Sequence, residues 1–556
     1  MTYPNLKQFV EALEEAGELH RIPARVSSLL EVSAIANRVS KSPAARASDH
    51  ARTFDPQHAH LGGKALLFEH VEGPEGRAAM PLLINAFGSY RRMEMALGCT
   101  EGGFGALAER IASIAKPEPP SGLMEKMRKG LELAKVASFA PRMARSGECQ
   151  QVVKTGDEVN LFELPIMKAW PDDGDPRACG YNVSPQDAGT ARGQGRFITF
   201  GGMFTIHPDD AGKPAGEPRP TRNIGMYRAQ LIDERRTAMH WHMHHDGARH
   251  WREWKKRGEA MPCAIVLGGE SVLPYSATAP MPPGMSELLM AGLLNQRAIE
   301  LVPCKTIDMQ VPANAELVIE GHVRTDAGFI GYEPDGDEPL GPGAVLEGPF
   351  GDHTGYYSMP DRYPIFEVSA ITHRRNPIYP TTIVGPPPME DYYMGKATER
   401  VFLPLLQVMI PDIVDYHLPM FGAFHNCAFI KIRKEYPLQA RRVMHAIWGA
   451  GQMAWTKFIV VVDEDVNVHD HEAVLFHLCA NCDPGRDTEL VHGPVDILDH
   501  AAPRLGSGQK MGFDATRKWK GEEVNGQPVR DWPKFQTMDE ATEALVDQRW
   551  GEYGLA

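Results

Sequence analysis

Apolar residues recur at three- and four-residue spacings at Leu6, Phe9, Val10 and Leu13, which predicts an amphipathic helix over 6–16. The period is then lost over 41–62, a stretch rich in Ala, Ser, His and Pro that reads as a surface loop or insertion. Short apolar runs at 65–70 (ALLFEH) and 81–87 (PLLINAF) predict buried strands. A second helix is expected around 122–138, with Leu123, Met127, Leu131 and Ala134 on one side and Ser121 as its cap. Between about 146 and 370 the texture is strands and turns, with strands at 197–206, 263–269 and 315–323. The segments 207–220 and 325–345, heavy in Pro, Gly and Asp, read as loops. From 371 onward strands and helices alternate. A strand at 428–432 leads into a helix with Pro437 in its first turn and an end at Gly449. The all-apolar run 458–462 fits a strand covered on both faces. Residues 537–540 (TMDE) have capping-box spacing and open a terminal helix able to dock on another domain or subunit.

The chain has 556 residues, enough for several cores of about 150 residues each. Lys plus Arg is 58 and Asp plus Glu is 72, a formal charge of −14, which argues against a dedicated nucleic-acid binder. The first twenty residues carry charges where a signal peptide needs an apolar core, and no apolar run reaches the ~18 residues that span a membrane. Eight cysteines are too sparse for a secreted disulfide scaffold, so the expectation is a cytoplasmic, multidomain enzyme.

Several common motifs fail. There is neither a G-x-x-x-x-G-K-[ST] loop nor an H-E-x-x-H helix. Gly506-Ser-Gly508 begins like a dinucleotide fingerprint, but Met511 stands where the third glycine belongs. The run 463–470 (DEDVNVHD) resembles the start of a calcium loop, yet Val468 replaces the turn glycine and Val474 the bidentate glutamate. Cys479 and Cys482 form a lone CxxC, read as two partly buried thiols at a helix end.

What remains is a constellation. The stretch 240–250 (HWHMHHDGARH) holds five histidines, and on a strand His240, His242 and His244 would share one face. A metal role and a histidine-rich sheet edge are both compatible with this pattern. Upstream lie Asn223 and Arg228, and downstream Glu287 follows Ser286 at a helix start, where capping is the plain explanation. Asn, His and Glu together form an O/N donor set suited to Mn²⁺ or Mg²⁺. The sequence EGPFGD at 347–352 joins Glu347 to Asp352 through a Gly-Pro…Gly loop that can fold both carboxylates into one cleft.

These segments together resemble the UbiD family of prenylated-FMN-dependent decarboxylases. The resemblance rests on 163–173 (ELPIMKAWPDD), 223–233 (NIGMYRAQLID), Trp241-x-x-His244, 286–294 (SELLMAGLL), 347–357 (EGPFGDHTGYY), 382–391 (TIVGPPPMED), 456–467 (TKFIVVVDEDVN) and 510–519 (KMGFDATRKW), in family order. It implies a mixed α/β (α+β) subunit of three domains. These are an N-terminal α/β domain (1–145), a central split-β-barrel-like cofactor domain (146–370) and a C-terminal α/β dimerisation domain (371–510), followed by a tail helix (511–556). It implies prenylated FMN anchored through a divalent ion, Mn²⁺ or Mg²⁺, with K⁺ or Na⁺ nearby. Asn223, His244 and Glu287 match the metal-ligand positions. Met226, Tyr227, Arg228, His240, Trp241, His242, His245 and Asp246 match cofactor-lining positions. Arg228, Glu347 and Asp352 match the catalytic set. His240 and His245 depart from the arginines found around this tryptophan in ubiquinone-pathway members.

Losing CO₂ from an sp² carbon leaves a carbanion that needs an electron sink, which the family's cofactor supplies. Arg228 can orient a substrate carboxylate and depress the pKa of Glu347, while Asp352, with a raised pKa, is expected to return the proton. The implied reaction is reversible non-oxidative decarboxylation of an aromatic or α,β-unsaturated acid, foremost 4-hydroxy-3-polyprenylbenzoate or a related quinone precursor. Dihydroxynaphthoate of menaquinone synthesis and a catabolic aromatic acid or aryl-CoA are alternatives. A metal-dependent hydrolase built on the His cluster is the competitor from another class. Implied partners are the small-molecule acid, a flavin prenyltransferase as cofactor supplier, and further copies of the chain as a dimer or trimer of dimers. Peripheral membrane contact is expected if the substrate is prenylated.

Overall fold

A computed structural model describes residues 2–115, 127, 134–214, 216–281, 286–328, 341–424 and 426–555. Most of the helix expected over 122–138 lies outside them.

The chain opens with α1 (Leu6–Glu15), capped by the Asn5 side chain and burying Leu6, Phe9, Val10 and Leu13, the residues its periodicity singles out. β1 (Leu19–Ser27) pairs in parallel with β2 (Ala65–Gly73) after α2 (Glu31–Ser40), and β3 (Leu82–Ile84) joins β2 antiparallel. Helices α3 (Tyr90–Leu97) and α4 (Gly103–Ala115) follow. The segment 41–62 contains only a short helical turn and exposes much of its length, but several of its residues anchor it inward. Phe54, Asp55 and Ala59 are buried, and Asp55 accepts the Tyr392 hydroxyl hydrogen bond at 2.7 Å. Phe54, Asp55 and Ala59 point inward and tie the loop down, while Asp49 and most of its other polar residues stay at the surface.

The middle of the chain closes into a barrel. Its strands are β4 (Phe197–Thr205), β5 (Asn223–Leu231), β6 (Arg236–Met239), β7 (Met261–Leu267), β8 (Leu317–Val323) and the long β10 (Asp361–His373), with β9 (Ala344–Glu347) pairing onto β10. The order β8–β7–β4–β5–β6–β10 returns to β8, so six strands form a closed ring without free edges. Helix α5 (Asp246–Arg257) follows β6, and α6 (Glu287–Asn295) follows β7. The β4–β5 pairing shifts register between Ile198 and Gly201, where Phe200 takes a φ of +54°. This bulge turns the Phe200 ring into the cleft described below.

Beyond the barrel, Tyr379–Pro380 returns to pair with β3 in the first sheet. The 20-residue helix α7 (Glu390–Met409) then leads into a second α/β layer. Its sheet runs β11 (Ile413–His417), β12 (Cys427–Ile432), β13 (Phe458–Asp463), β15 (Ser507–Asp514), β14 (Thr488–Pro494), with β12, β13 and β15 parallel. Helices α8 (Gln439–Ile447) and α9 (His471–Asn481) cover opposite faces. On β13, Ile459 and Val461 pack with Val443 and Met444 of α8, whereas Val460 and Val462 pack with Val474 of α9. Two covered faces explain why that strand is apolar from Ile459 to Val462. Pro437 stands just outside α8, which begins after Leu438 in a left-handed conformation and ends at Ile447. The terminal helix α10 (Glu540–Arg549) is capped by Asp539 rather than Thr537, and it buries none of its own residues.

Candidate active site

Arg228 sits mid-strand on β5, and β9 delivers Glu347 at its last residue, opposite Asp361 on β10. The chain then turns through Gly348 and Gly351 before Asp352. A Cβ on Gly348 would lie 2.5 Å from the Gly174 backbone, and one on Gly351 would lie 2.2 Å from the Trp170 ring, so both positions need glycine. Asp173 fastens this loop, accepting from Gly351 N at 2.8 Å and from Trp170 N at 2.8 Å. The two carboxylates therefore meet at one guanidinium. Arg228 donates Nε to Glu347 Oε1 at 3.1 Å and Nη2 to Oε2 at 3.0 Å. Its Nη1 reaches Asp352 Oδ2 at 2.6 Å and its Nη2 reaches Ser358 Oγ at 2.8 Å. The Phe350 ring lies 4.5 Å below the guanidinium carbon.

The histidine stretch is not a strand. β6 stops at Met239, and His245 is already the cap of α5, so the alternation expected for His240, His242 and His244 is absent. His240 and His242 turn inward while His244 is exposed with its ring 4.6 Å from that of Trp455. His240 bridges Glu347 Oε2 through Nδ1 at 2.8 Å and His242 Nε2 through its own Nε2 at 2.7 Å.

Burial alone would raise Glu347, but the Arg228 charge and His240 hold it below the usual carboxylate range. Asp352 overturns its expectation. Burial would raise it, yet the hydrogen bond from His353 and the charge of Arg228 hold it far below an ordinary aspartate, so it is not the raised acid expected from the sequence. The proton resides next door. Burial disfavours the His353 imidazolium, but the hydrogen bond to Asp352 Oδ1 at 3.1 Å and the charges of Asp352 and Asp496 lift it to about 9. Burial pushes His240, His242 and His245 down, so these rings are neutral.

At the start of β5, Asn223 stands beside Glu287, whose Oε2 accepts from Ile224 N at 2.9 Å. Ser286 caps α6 and places Glu287 in its first turn, where burial pushes the carboxyl up to about 7. Among the described residues, Asn223 Nδ2 and Trp241 Nε1 are buried donors that meet no hydrogen-bond partner, and Tyr227 lies against both residues. The ring nitrogens of His242, His244 and His245 form a second group within 4.8 Å of one another. Asp246 is exposed and pairs with Arg249. A buried carboxyl beside the Asn223 amide fits a hard divalent ion, and the N–H groups of Asn223 and Trp241 fit an anion such as a phosphate.

Met226, Arg228, His240 and Phe350 face a cavity of about 690 Å³, walled on its other side by α7 and by Phe424 and Met453. Its lining is chiefly apolar, and it continues past Phe402, Leu406 and Met409 along α7. Sequence reasoning missed Asp173, His353, Ser358 and the α7 wall. Asp173 and His353 do lie inside motifs singled out above, but only the closed barrel assigns them partners.

Three models of one family match in order along the chain. They are the N-terminal domain (residues 10–111), the Rift-related domain (142–387) and the C-terminal domain (392–515) of 3-octaprenyl-4-hydroxybenzoate carboxy-lyase. An uncharacterized protein of Aquifex aeolicus is 40% identical over 553 residues, covering 100% of this chain and 99% of its own. Vanillic acid decarboxylase of Sedimentibacter hydroxybenzoicus, in its closed form, superposes with a TM-score of 0.76 at 22% identity, covering 100% and 99% of the two chains. The UbiD-class enzyme HmfF of Pelotomaculum thermopropionicum, in complex with FMN, gives 0.67 at 23%, covering 98% and 99%. The molecule is thus an enzyme of the carboxy-lyase class. Within that class the chain belongs to the UbiD family.

Proposed function

We propose that this enzyme decarboxylates an aromatic or α,β-unsaturated carboxylic acid with prenylated FMN. The observation that carries the reading is the buried Arg228, clamped by Glu347 and Asp352 at the wall of a largely apolar cavity. Prenylated FMN, when bound, supplies the electron sink that the departing CO₂ requires. Met226, Tyr227, Arg228, His240, Trp241, His242, His245 and Asp246 would surround it. Asn223, His244 and Glu287 would hold Mn²⁺ or Mg²⁺ at its phosphate, with K⁺ or Na⁺ adjacent. The unpartnered Asn223 amide and the uncompensated Glu287 carboxyl support that assignment.

The residues divide the work. Arg228 orients the substrate carboxylate, and Glu347 remains ionised against it. The apolar walls exclude water, so the carbon left after CO₂ departs takes its proton from the protein. His353 holds that proton and Asp352 passes it on, since Asp352 faces the cavity and His353 lies behind it. The apolar extension along α7 favours 4-hydroxy-3-polyprenylbenzoate or another acid with a hydrocarbon tail over a small polar catabolite.

The test is protein coexpressed with a flavin prenyltransferase, with released small molecules identified by mass spectrometry and CO₂ release measured over a panel of aromatic acids. Prenylated FMN and turnover are expected, and Asp352→Asn is expected to abolish turnover while retaining cofactor. Folded, metal-loaded protein without flavin, active on esters or amides, would overturn the reading in favour of a hydrolase.

A further inference from the structure

The loop that carries Asp352 and His353 meets a loop of the C-terminal layer. Between β14 and β15 the chain places Asp496, with its side chain only 12% exposed and its Oδ2 4.0 Å from His353 Nε2. The other oxygen, Oδ1, accepts from Leu498 N at 2.8 Å, so the carboxylate is held in its own turn. A second contact joins the same two loops, the Tyr356 and His500 rings with centroids 3.9 Å apart. On the opposite side of the imidazole, His353 Nδ1 lies 3.1 Å from Asp352 Oδ1. His353 Nε2 is buried and meets no hydrogen-bond partner among the described residues. The ring thus stands between two carboxylates, one from the barrel and one from the C-terminal layer. Asp391 of α7 also faces it, Arg228 of β5 holds the far oxygen of Asp352, and the Phe424 ring lies 5.2 Å away.

Decarboxylation consumes a proton. When the bond from carbon to CO₂ breaks, its electron pair stays on the carbon side, and the C–H bond that replaces it takes one proton. Asp352 gives that proton and His353 replaces it from Nδ1, which leaves the ring neutral with its remaining proton on Nε2. That is the side Asp496 faces. A carboxylate there stabilises the imidazolium before the transfer and the Nε2–H form after it, so the ring keeps Nδ1 turned toward Asp352 throughout. The neutral ring then regains one proton from solvent, to which its side chain is 16% exposed, and the starting state is restored. An aspartate that fixes the orientation and tautomer of a working imidazole does the same service in a hydrolytic triad.

We propose that Asp496 is a positioning residue for proton delivery: from the C-terminal layer it orients His353 toward Asp352, so the set assembled on the barrel is complete only with that layer in place. The inference rests on the decarboxylase reading. Asp496 lies outside every segment that carries the family resemblance, so its assignment comes from the contact with His353 alone.

The experiment is a nitrogen-15 NMR titration of histidine-labelled, full-length protein without substrate, the His353 signal being assigned by its loss in His353→Gln. It is paired with pH profiles of kcat/KM on an aromatic acid. Asp496→Asn removes the charge but keeps an acceptor for Leu498 N, and Asp496→Ser, which can also cap that turn, should behave alike. Both should lower the His353 midpoint by about one pH unit, about a tenfold loss of proton affinity, and carry the alkaline limb of kcat/KM down with it. Asp496→Glu should restore both readouts. A midpoint in either uncharged variant that matches wild type, or a lowered midpoint with an unmoved limb, overturns the proposal. The NMR shift needs no turnover. Its absence with CO₂ release intact fails Asp496 alone, whereas no CO₂ release from any acid fails the decarboxylase reading and the proposal with it.

Discussion

His353 and Asp352 are neighbours in sequence, yet their protonation is set by groups from three other segments. Arg228 approaches Asp352 from β5, and Asp496 and Asp391 add negative charge around His353. Asp352 consequently binds no proton at neutral pH and His353 does. Because the folded His353 titrates near 9, above the ~6.5 of an unperturbed histidine, its stabilisation is complete below about 6.5 and disappears as pH rises through about 9. Turnover should fall over the same upper range if His353 supplies the proton. In His353→Gln that alkaline limb should be absent and the rate low at every pH, with cofactor content unchanged. A pH profile of kcat/KM for both proteins checks this, and an unchanged limb in the variant assigns it elsewhere.

At the scale of elements, the loop between β9 and β10 is set by close packing. Gly348 abuts the Gly174 backbone, and its N–H is held by Gln230 Oε1 at 2.9 Å. Gly348→Ala forces the two backbones apart and should cost about 1–3 kcal/mol, read from urea unfolding, with a loss of activity as Glu347 shifts. Helix α6 is seated by a lighter contact. Ser286 accepts from Leu288 N at 3.3 Å, so Ser286→Ala should lower stability by about 1 kcal/mol. The same change should weaken divalent-ion retention, because Glu287 occupies the next position.

Across the whole molecule, α7 is the element that all three layers share. Its first residue, Glu390, accepts from Phe87 N of the first layer at 2.9 Å, its middle walls the cavity, and Arg400 bonds Asp415 of the last sheet at 2.7 Å. The terminal segment from residue 536 contrasts with it. α10 buries nothing, and Leu545 and Trp550 are about half exposed. Deleting residues 536–556 should leave the thermal midpoint within about 2 °C, since little buried area is lost. A larger fall in a melting scan would show that the helix docks onto another copy of the chain. Among the described residues no helix is long and apolar enough to cross a membrane.

The sequence alone determined the features that depend on local pattern. Periodicity located α1, the barrel strands at 197–206, 263–269 and 315–323, and the doubly covered β13, because burial on one or two faces imposes a short-range repeat. Residue types in family order pointed to Arg228, Glu347 and Asp352, and the short Gly-Pro…Gly loop made their convergence legible. Protonation was not legible. A carboxylate's pKa depends on charges brought near it by folding, which reversed the expectation for Asp352. The inward turn of His240 and His242, the burial of Phe54, Asp55 and Ala59 within the 41–62 loop and the meeting of Glu399, His417 and His469 likewise depend on long-range packing. Those residues are separated by up to 70 positions and share no spacing that a linear pattern could carry, so only ring closure and sheet stacking bring them together.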